Sequence, residues 1–212
     1  MNKVGLCNMA IGNLGISQFI GDLDTEQSNE ARTCRVFYDQ ALDKTLSEFP
    51  WSFAKSYADL QDIGAPPGSW LYRYRYPANC LFVRAVTPRG QYPAVSAYYN
   101  GTTLEYINRD RFEIIEDQDG GGLAICTNVP AAMLTFTKRI TAVNLYSALF
   151  NDAFSWCLSK YIAAPLSAAP NMAMLAGQAY TAALLTAGAR SLNENNEGLK
   201  TDQESEFILA RG

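Results

Sequence analysis

Apolar positions along the chain change period twice, and the changes divide it. From residue 2 to 14, Val4, Cys7, Ala10, Ile11 and Leu14 recur at the three- and four-residue steps of one helix face. Gly15 supplies a left-handed stop, and Ile20-Gly21-Asp22 reads as a short turn. A longer stripe, Ala31, Cys34, Phe37, Tyr38, Ala41, Leu42, Thr45 and Phe49, predicts a second helix ended by Pro50. Asp24 is its expected N-cap, with Gln27 three residues on as in a capping box. Glu26 and Glu30 would lie where the helix dipole favours negative charge. The opposite face carries Arg32, Arg35, Asp39, Asp43 and Glu48 and is expected to be solvated.

From Trp51 the period becomes two. Trp51 to Tyr57 alternates large with small or polar side chains, as a half-buried strand does, and Gly64-Ala65-Pro66-Pro67-Gly68 is a loop. Trp70 to Tyr76 is an aromatic strand with Arg73 and Arg75 interleaved, and it stops at Pro77. Cys80 to Val86 is the next strand, and further strands are expected near 92–99, 103–107, 112–116, 123–127 and 133–139. Tyr99-Asn100-Gly101-Thr102 is a hairpin signal, and 117–122 is a turn. Helical spacing returns after Thr141, in Leu149, Phe150, Ala153, Phe154, Cys157, Leu158, Tyr161 and Ile162, and Pro165 limits it. Pro170 and Asn171 open a fourth, Ala-rich helix running to about Asn193. Residues 194–206 are polar and expected to be extended or mobile, and Phe207-Ile208-Leu209 follows as an apolar plug.

The order is two helices, a β-rich stretch, two helices and a tail. Neither helix pair can bury its stripe alone. The expected fold is therefore α+β. A four-helix bundle is built from residues 1–50 and 141–196, with an inserted antiparallel β-rich domain at 51–140 and an extended C-terminal arm at 197–212. Phe207, Ile208, Leu209 and Arg211 are the candidate docking residues of that arm, because such apolar side chains are costly to leave in water.

Composition narrows the chemistry. The chain has no His, which removes the commonest general base and metal ligand and every His-containing triad. Its net charge of −4 and the lack of a basic tract argue against a nucleic-acid clamp. Five Cys show no C-x-x-C spacing, and Cys7, Cys34 and Cys157 fall on apolar helix faces, as expected of a protein folding in a reducing cytoplasm. Twelve Tyr fit either large interfaces or a Tyr-rich sheet. No signal peptide or membrane span is expected, since the apolar run after Lys3 stops at Asn8.

Three clusters carry competing readings. Asp117-Gln118-Asp119-Gly120 is a turn before it is a calcium loop, for it lacks the later Glu. Glu113, Glu116, Asp117 and Asp119, near the aromatic Trp70 and Tyr72, could include a glycosidase pair, which makes a carbohydrate hydrolase the alternative function. Arg73, Arg75, Arg84 and Arg89 among aromatics fit a solvated strand face, a protein interface or a DNA contact. No catalytic, metal-binding or cofactor-binding residue is assigned, and the chain is expected not to be an enzyme.

A set of motifs adds to this reading. Val4-Gly5-Leu6-Cys7-Asn8-Met9-Ala10-Ile11-Gly12-Asn13-Leu14-Gly15 opens it, followed by Glu30-Ala31…Cys34…Phe37-Tyr38 and Phe49-Pro50-Trp51-Ser52-Phe53-Ala54. Then come Trp70 to Leu81, Phe150-Asn151-Asp152-Ala153-Phe154 and Ser205 to Arg211. In this order they resemble the tail tubular protein A family, the head–tail adaptors of podoviruses. Ser52 stands where the family has Asn, and Asn79 where it has Asp. The resemblance implies a helical bundle plus a β-rich domain, in a homo-oligomeric ring, usually dodecameric. The ring would sit in the virion tail, between the portal protein and the tail nozzle, with tail fibres as further candidate partners. Genomic DNA would pass through the lumen without specific binding. The C-terminal arm would grip a neighbouring subunit or the portal.

Overall fold

The computed structural model describes residues 1–90, 96–99, 104–107, 111–117, 120–166 and 168–194. It is a mixed α+β fold. Its elements are α1 (Lys3–Asn13), α2 (Asn29–Glu48), β1 (Lys55–Asp59), β2 (Tyr72–Arg75), β3 (Cys80–Pro88), β4 (Ser96–Tyr99), β5 (Leu104–Ile107), β6 (Phe112–Glu116), β7 (Leu123–Thr127), β8 (Ala132–Lys138), α3 (Ala148–Ile162) and α4 (Met172–Glu194). The arm at 197–212, with Phe207, Ile208, Leu209 and Arg211, lies outside the described residues.

Three of the helices start at a side-chain cap. Asn2 Oδ1 accepts the Gly5 N–H at 2.8 Å and caps α1. At the other end Gly15, at φ 74°, donates to Gly12 O while Ile16 N reaches back to Ile11 O, so the left-handed stop forms as the sequence predicts. Ser147 caps α3 by accepting from Phe150 N at 3.1 Å.

The cap expected at Asp24 is not formed. The helix starts later, at Ser28, whose Oγ accepts from Ala31 N. Upstream, Asp22 Oδ1 takes the N–H of Asp24 and Glu26 takes the N–H of Gly21, so residues 21–26 make a closed loop of their own. Arg35 fixes that loop by donating to the carbonyls of Leu23 and Glu26 at 2.6 and 2.9 Å.

α3 is the helix that packs against all three others. Ser155 and Ser159 face α1, where Ser159 Oγ donates to Ala10 O. Phe154 and Tyr161 face Tyr38 and Phe37 of α2. Lys160 runs beside Gly177 of α4. Leu6, Ile11, Leu42, Leu46, Phe150, Phe154 and Leu158 are almost wholly buried in this core. Each such side chain contributes roughly 1.5–3 kcal/mol of burial.

The strands form two three-stranded antiparallel sheets, β1-β8-β3 and β2-β7-β6, and a β4-β5 pair. A second core lies between the two larger sheets, made by Val83, Val86, Leu134 and Phe136 from one and Tyr74 and Ile125 from the other. The first strand was expected from Trp51. It starts at Lys55, because Ser52–Ala54 form a 3-10 turn against the helical core. The register of β3 on β8 shifts twice, so Leu81 and Arg84 are each an extra residue in β3. Leu81 packs on the helical core, and Arg84 turns toward the same side.

Candidate functional site

The place where the helices meet the sheets gathers the most side-chain chemistry. Trp51, 1% exposed, is its centre. Its indole Nε1 donates to Thr45 O at 2.7 Å, one of the last carbonyls of α2, which have no partner within the helix. Its ring meets Phe49, Phe53 and Phe150 at 5.4, 6.1 and 4.9 Å between centroids. Phe150 also packs edge-on to Phe53 and Tyr146. Burial pushes the Tyr146 phenol up to about 12, and its hydroxyl donates to Ile140 O.

Two arginines cross this junction. Arg84, 5% exposed, donates from Nε to Thr137 Oγ1 at 3.0 Å and from Nη2 to Trp51 O at 2.8 Å. The sequence placed it on a solvated strand face, and the bulge in β3 is what turns it inward. Arg139, just after β8, donates to Asp43 at 2.6 Å and Asp39 at 2.9 Å. The acidic face of α2 expected to be solvated is thus partly a docking face for the sheet. Glu48 on the same helix is held by Lys44 and by Tyr180 of α4.

Arg73, Arg75 and Arg89 do not assemble a basic surface with these. Arg73 donates to Ile63 O and lies 3.7 Å from the buried Asp117 carboxylate. Arg89 pairs with Asp59 in solvent. Arg75 is exposed and lines a cleft of about 680 Å3 with Asp59, Gln61, Tyr76 and Asp117. A smaller cavity, about 260 Å3, opens beside Trp51 and Phe53 and is bordered by Ser147, Leu149 and Arg190.

The four acids of the hydrolase reading are spread out. Glu113 accepts from Trp70 Nε1 at 2.8 Å, on the face of β6 that carries Ile115. Glu116 lies on the opposite face. Asp117, four positions from Glu113 and so roughly 13 Å along the chain, is taken by the turn: its N–H donates to Gly122 O and its carbonyl accepts from Gly121 N. A glycosidase pair stands about 5–9.5 Å apart. Asp119 lies outside the described residues.

All five cysteines are buried and unbridged. Burial pushes the Cys80, Cys126 and Cys157 thiols up, away from a reactive thiolate. Cys7 and Cys34 share a hydrogen bond between α1 and α2, which raises Cys7. Among the described residues no three His, Cys, Asp or Glu side chains gather as they would to hold a metal ion. No helix among them is long and apolar enough to cross a membrane.

Compared with known proteins, the chain matches no protein-family model, and no curated protein matches it significantly.

Proposed function

We propose that the chain is a structural subunit of a short-tailed phage virion, a head–tail adaptor that joins its copies in a ring between portal and tail nozzle. In this reading it is not an enzyme. Its four helices act as a bundle (1–50 and 141–196), the β-rich part (51–140) projects from it, and residues 197–212 form the docking arm.

One observation carries the reading. The motifs that resemble the tail tubular protein A family run through the chain in order, and motifs far apart in sequence meet in space. Trp51 and Phe53 of one touch Phe150 of another, at 4.9 and 5.0 Å between ring centroids. A family pattern kept for packing would join in this way. The spread of Glu113, Glu116 and Asp117 favours this reading over a carbohydrate hydrolase.

The test is the mass of the purified protein by light scattering, alone and mixed with the portal ring of its phage. A ring, or recruitment to the portal in ring stoichiometry, is expected. A chain that ignores the portal rejects the reading. Removing residues 197–212 is expected to leave the far-ultraviolet circular dichroism unchanged and to abolish docking on the portal.

A further inference from the structure

Charge is missing from long stretches of this chain; one, 120–137, is the β7–β8 segment, and two are largely helical. Between Lys3 and Asp22 there is no Asp, Glu, Lys or Arg, and between Lys160 and Arg190 there is none either. The first stretch is α1 with the turn after it, and the second contains most of α4. A core explains only half of each. On α4 before Arg190 the residues that face solvent are Met174, Leu175, Gln178, Thr181, Ala182, Leu185, Thr186 and Ala189. At 100° per residue they fall in one stripe, opposite the buried Ala176, Tyr180 and Ala187. Met174 is 62% exposed, Leu175 43% and Leu185 41%. At α1 the exposed apolar surface is Met1, just before the helix, and the ring of Phe19, 57% exposed, lying over Gly12, with Gly5 and Met9 half-buried between them and Lys3 at the helix start.

Ordinary exposed apolar residues look different. Val36 of α2 is 69% exposed and sits among Arg32, Asp39 and Gln40, which keep it hydrated. Between Lys3 and Asp22, and on α4 up to Arg190, the α1 and α4 faces carry no charged residue of their own, and charge stands only at their edges, in Lys3, Lys160 and Arg190. They are also separate: both helices pack on α3, on different sides of it, and make no extensive contact with each other.

We infer that these two faces are partners, and that α4 of one copy lies on α1 of the next. The charge pattern points to a second copy as the occupant. A partner bearing charges would bury them unpaired against a face that has none to offer, which costs several kcal/mol per ion. The chain itself supplies the uncharged counterpart. Met174, Leu175 and Leu185 project from α4, and on the α1 side the apolar surface they would meet is Met1 and the Phe19 ring that covers Gly12. α4 has 23 residues and is about 35 Å long, enough for the centre of an interface of ordinary size. Because the two faces differ, the contact is head-to-tail and repeats from copy to copy, closing into a ring or running open. As the seam of the proposed adaptor ring, the inference rests on that reading, but the contact itself is tested without the portal.

The experiment uses the full chain and two charge insertions. Met174→Glu with Leu185→Glu spoils the α4 face alone. Gly12→Glu spoils the α1 face alone, and its new Cβ would meet the Phe19 ring at an ordinary 3.6 Å. Thr181→Lys is a second α4 variant should the first fail to keep its helical circular dichroism. Sedimentation velocity of the wild type is expected to show a mass that rises with concentration above the 23.3 kDa of one chain. Each variant alone is expected to stay at one chain. Mixed in equal amounts, they have one sound α4 and one sound α1 between them, so the mixture is expected to stop at two chains. A wild type that stays monomeric at every concentration, variants that assemble like the wild type, or a mixture that stays monomeric would each overturn the inference. A wild type that self-associates but ignores the portal would instead reject the adaptor reading and leave this contact standing.

Discussion

Trp51 shows how one side chain can fix the path of the chain between two kinds of structure. It follows Pro50, which ends α2, and its indole caps a carbonyl that the helix end leaves open. That bond draws residues 52–54 back over the helical core before β1 begins. Its own carbonyl, in turn, receives Arg84 from β3. Trp51→Phe keeps an aromatic ring but removes the donor and part of the volume. It leaves Thr45 O without its partner in a buried place, so a loss of roughly 2–4 kcal/mol is expected. Urea unfolding is the measurement, and the midpoint should fall with the slope unchanged. A midpoint within error of the wild type would mean that the indole bond is dispensable.

Among elements, the ends of α2 and α4 are the most constrained. Gly188 lies on α4 where an added Cβ would come within 2.6 Å of the Phe49 ring, which is itself held against Trp51. Ala is the better helix former by about 1 kcal/mol, yet overpacking costs roughly 1–3 kcal/mol. Gly188→Ala is therefore expected to lower the melting temperature, and a rise would show that α4 can shift outward freely. The loop before α2 makes a different prediction. Glu26 is held below its ordinary 4.5 by bonds from Ser28 Oγ and from the N–H groups of Gly21 and Asp22. Asp22 is held below 3.8 by Thr25 and by the Asp24 N–H. Both carboxylates are depressed on folding, so their contribution is present above those values and is lost as pH falls through the lower folded ones. Melting followed from neutral pH down to about pH 2 should show a steeper acid loss in the wild type than in Glu26→Gln. These elements also mark what the residues alone could tell. Pro50, Pro165 and Pro170 bounded the helices closely, and alternation placed β2, β3, β6, β7 and β8. The Ser28 start was hidden because Asp24, an equally good cap by type, was already committed to Asp22 through its own N–H. Arg84 was hidden because a bulge leaves no mark in a run such as Cys80 to Val86, and a single added residue reverses every later side chain.

For the molecule as a whole, the two cores are distinct but not independent. The helical core and the core between the sheets share no buried residue, yet β3 supplies Leu81 to the first and Val83 and Val86 to the second. One face of the sheet of β3 and β8 carries Val83, Val86, Leu134 and Phe136 inward, and the bulges send Leu81 and Arg84 the other way. Arg139 adds its pairs to Asp39 and Asp43 at the sheet's end. No periodicity could show this joint, since Arg84 and Trp51 are 33 positions apart and Arg139 and Asp43 are 96. The joint should make the cores open together. Hydrogen exchange can read this, with amides of α3 reporting one core and those of β7 the other. In the wild type both are expected to exchange through one opening of equal free energy. Arg84→Met with Arg139→Met removes the donors that cross the junction. Arg139 is about one-third exposed and its partners Asp39 and Asp43 are 70% and 40% exposed, so the pairs contribute about 1 kcal/mol or less. The loss is therefore set by the Trp51 carbonyl and the Thr137 hydroxyl left without Arg84, at roughly 1–3 kcal/mol. β7 should then exchange ahead of α3 by that difference. If the two keep a common free energy in the double variant, the coupling resides in the apolar contacts of Leu81 and Trp51 and not in the arginines. If they already differ in the wild type, the junction does not couple the cores at all.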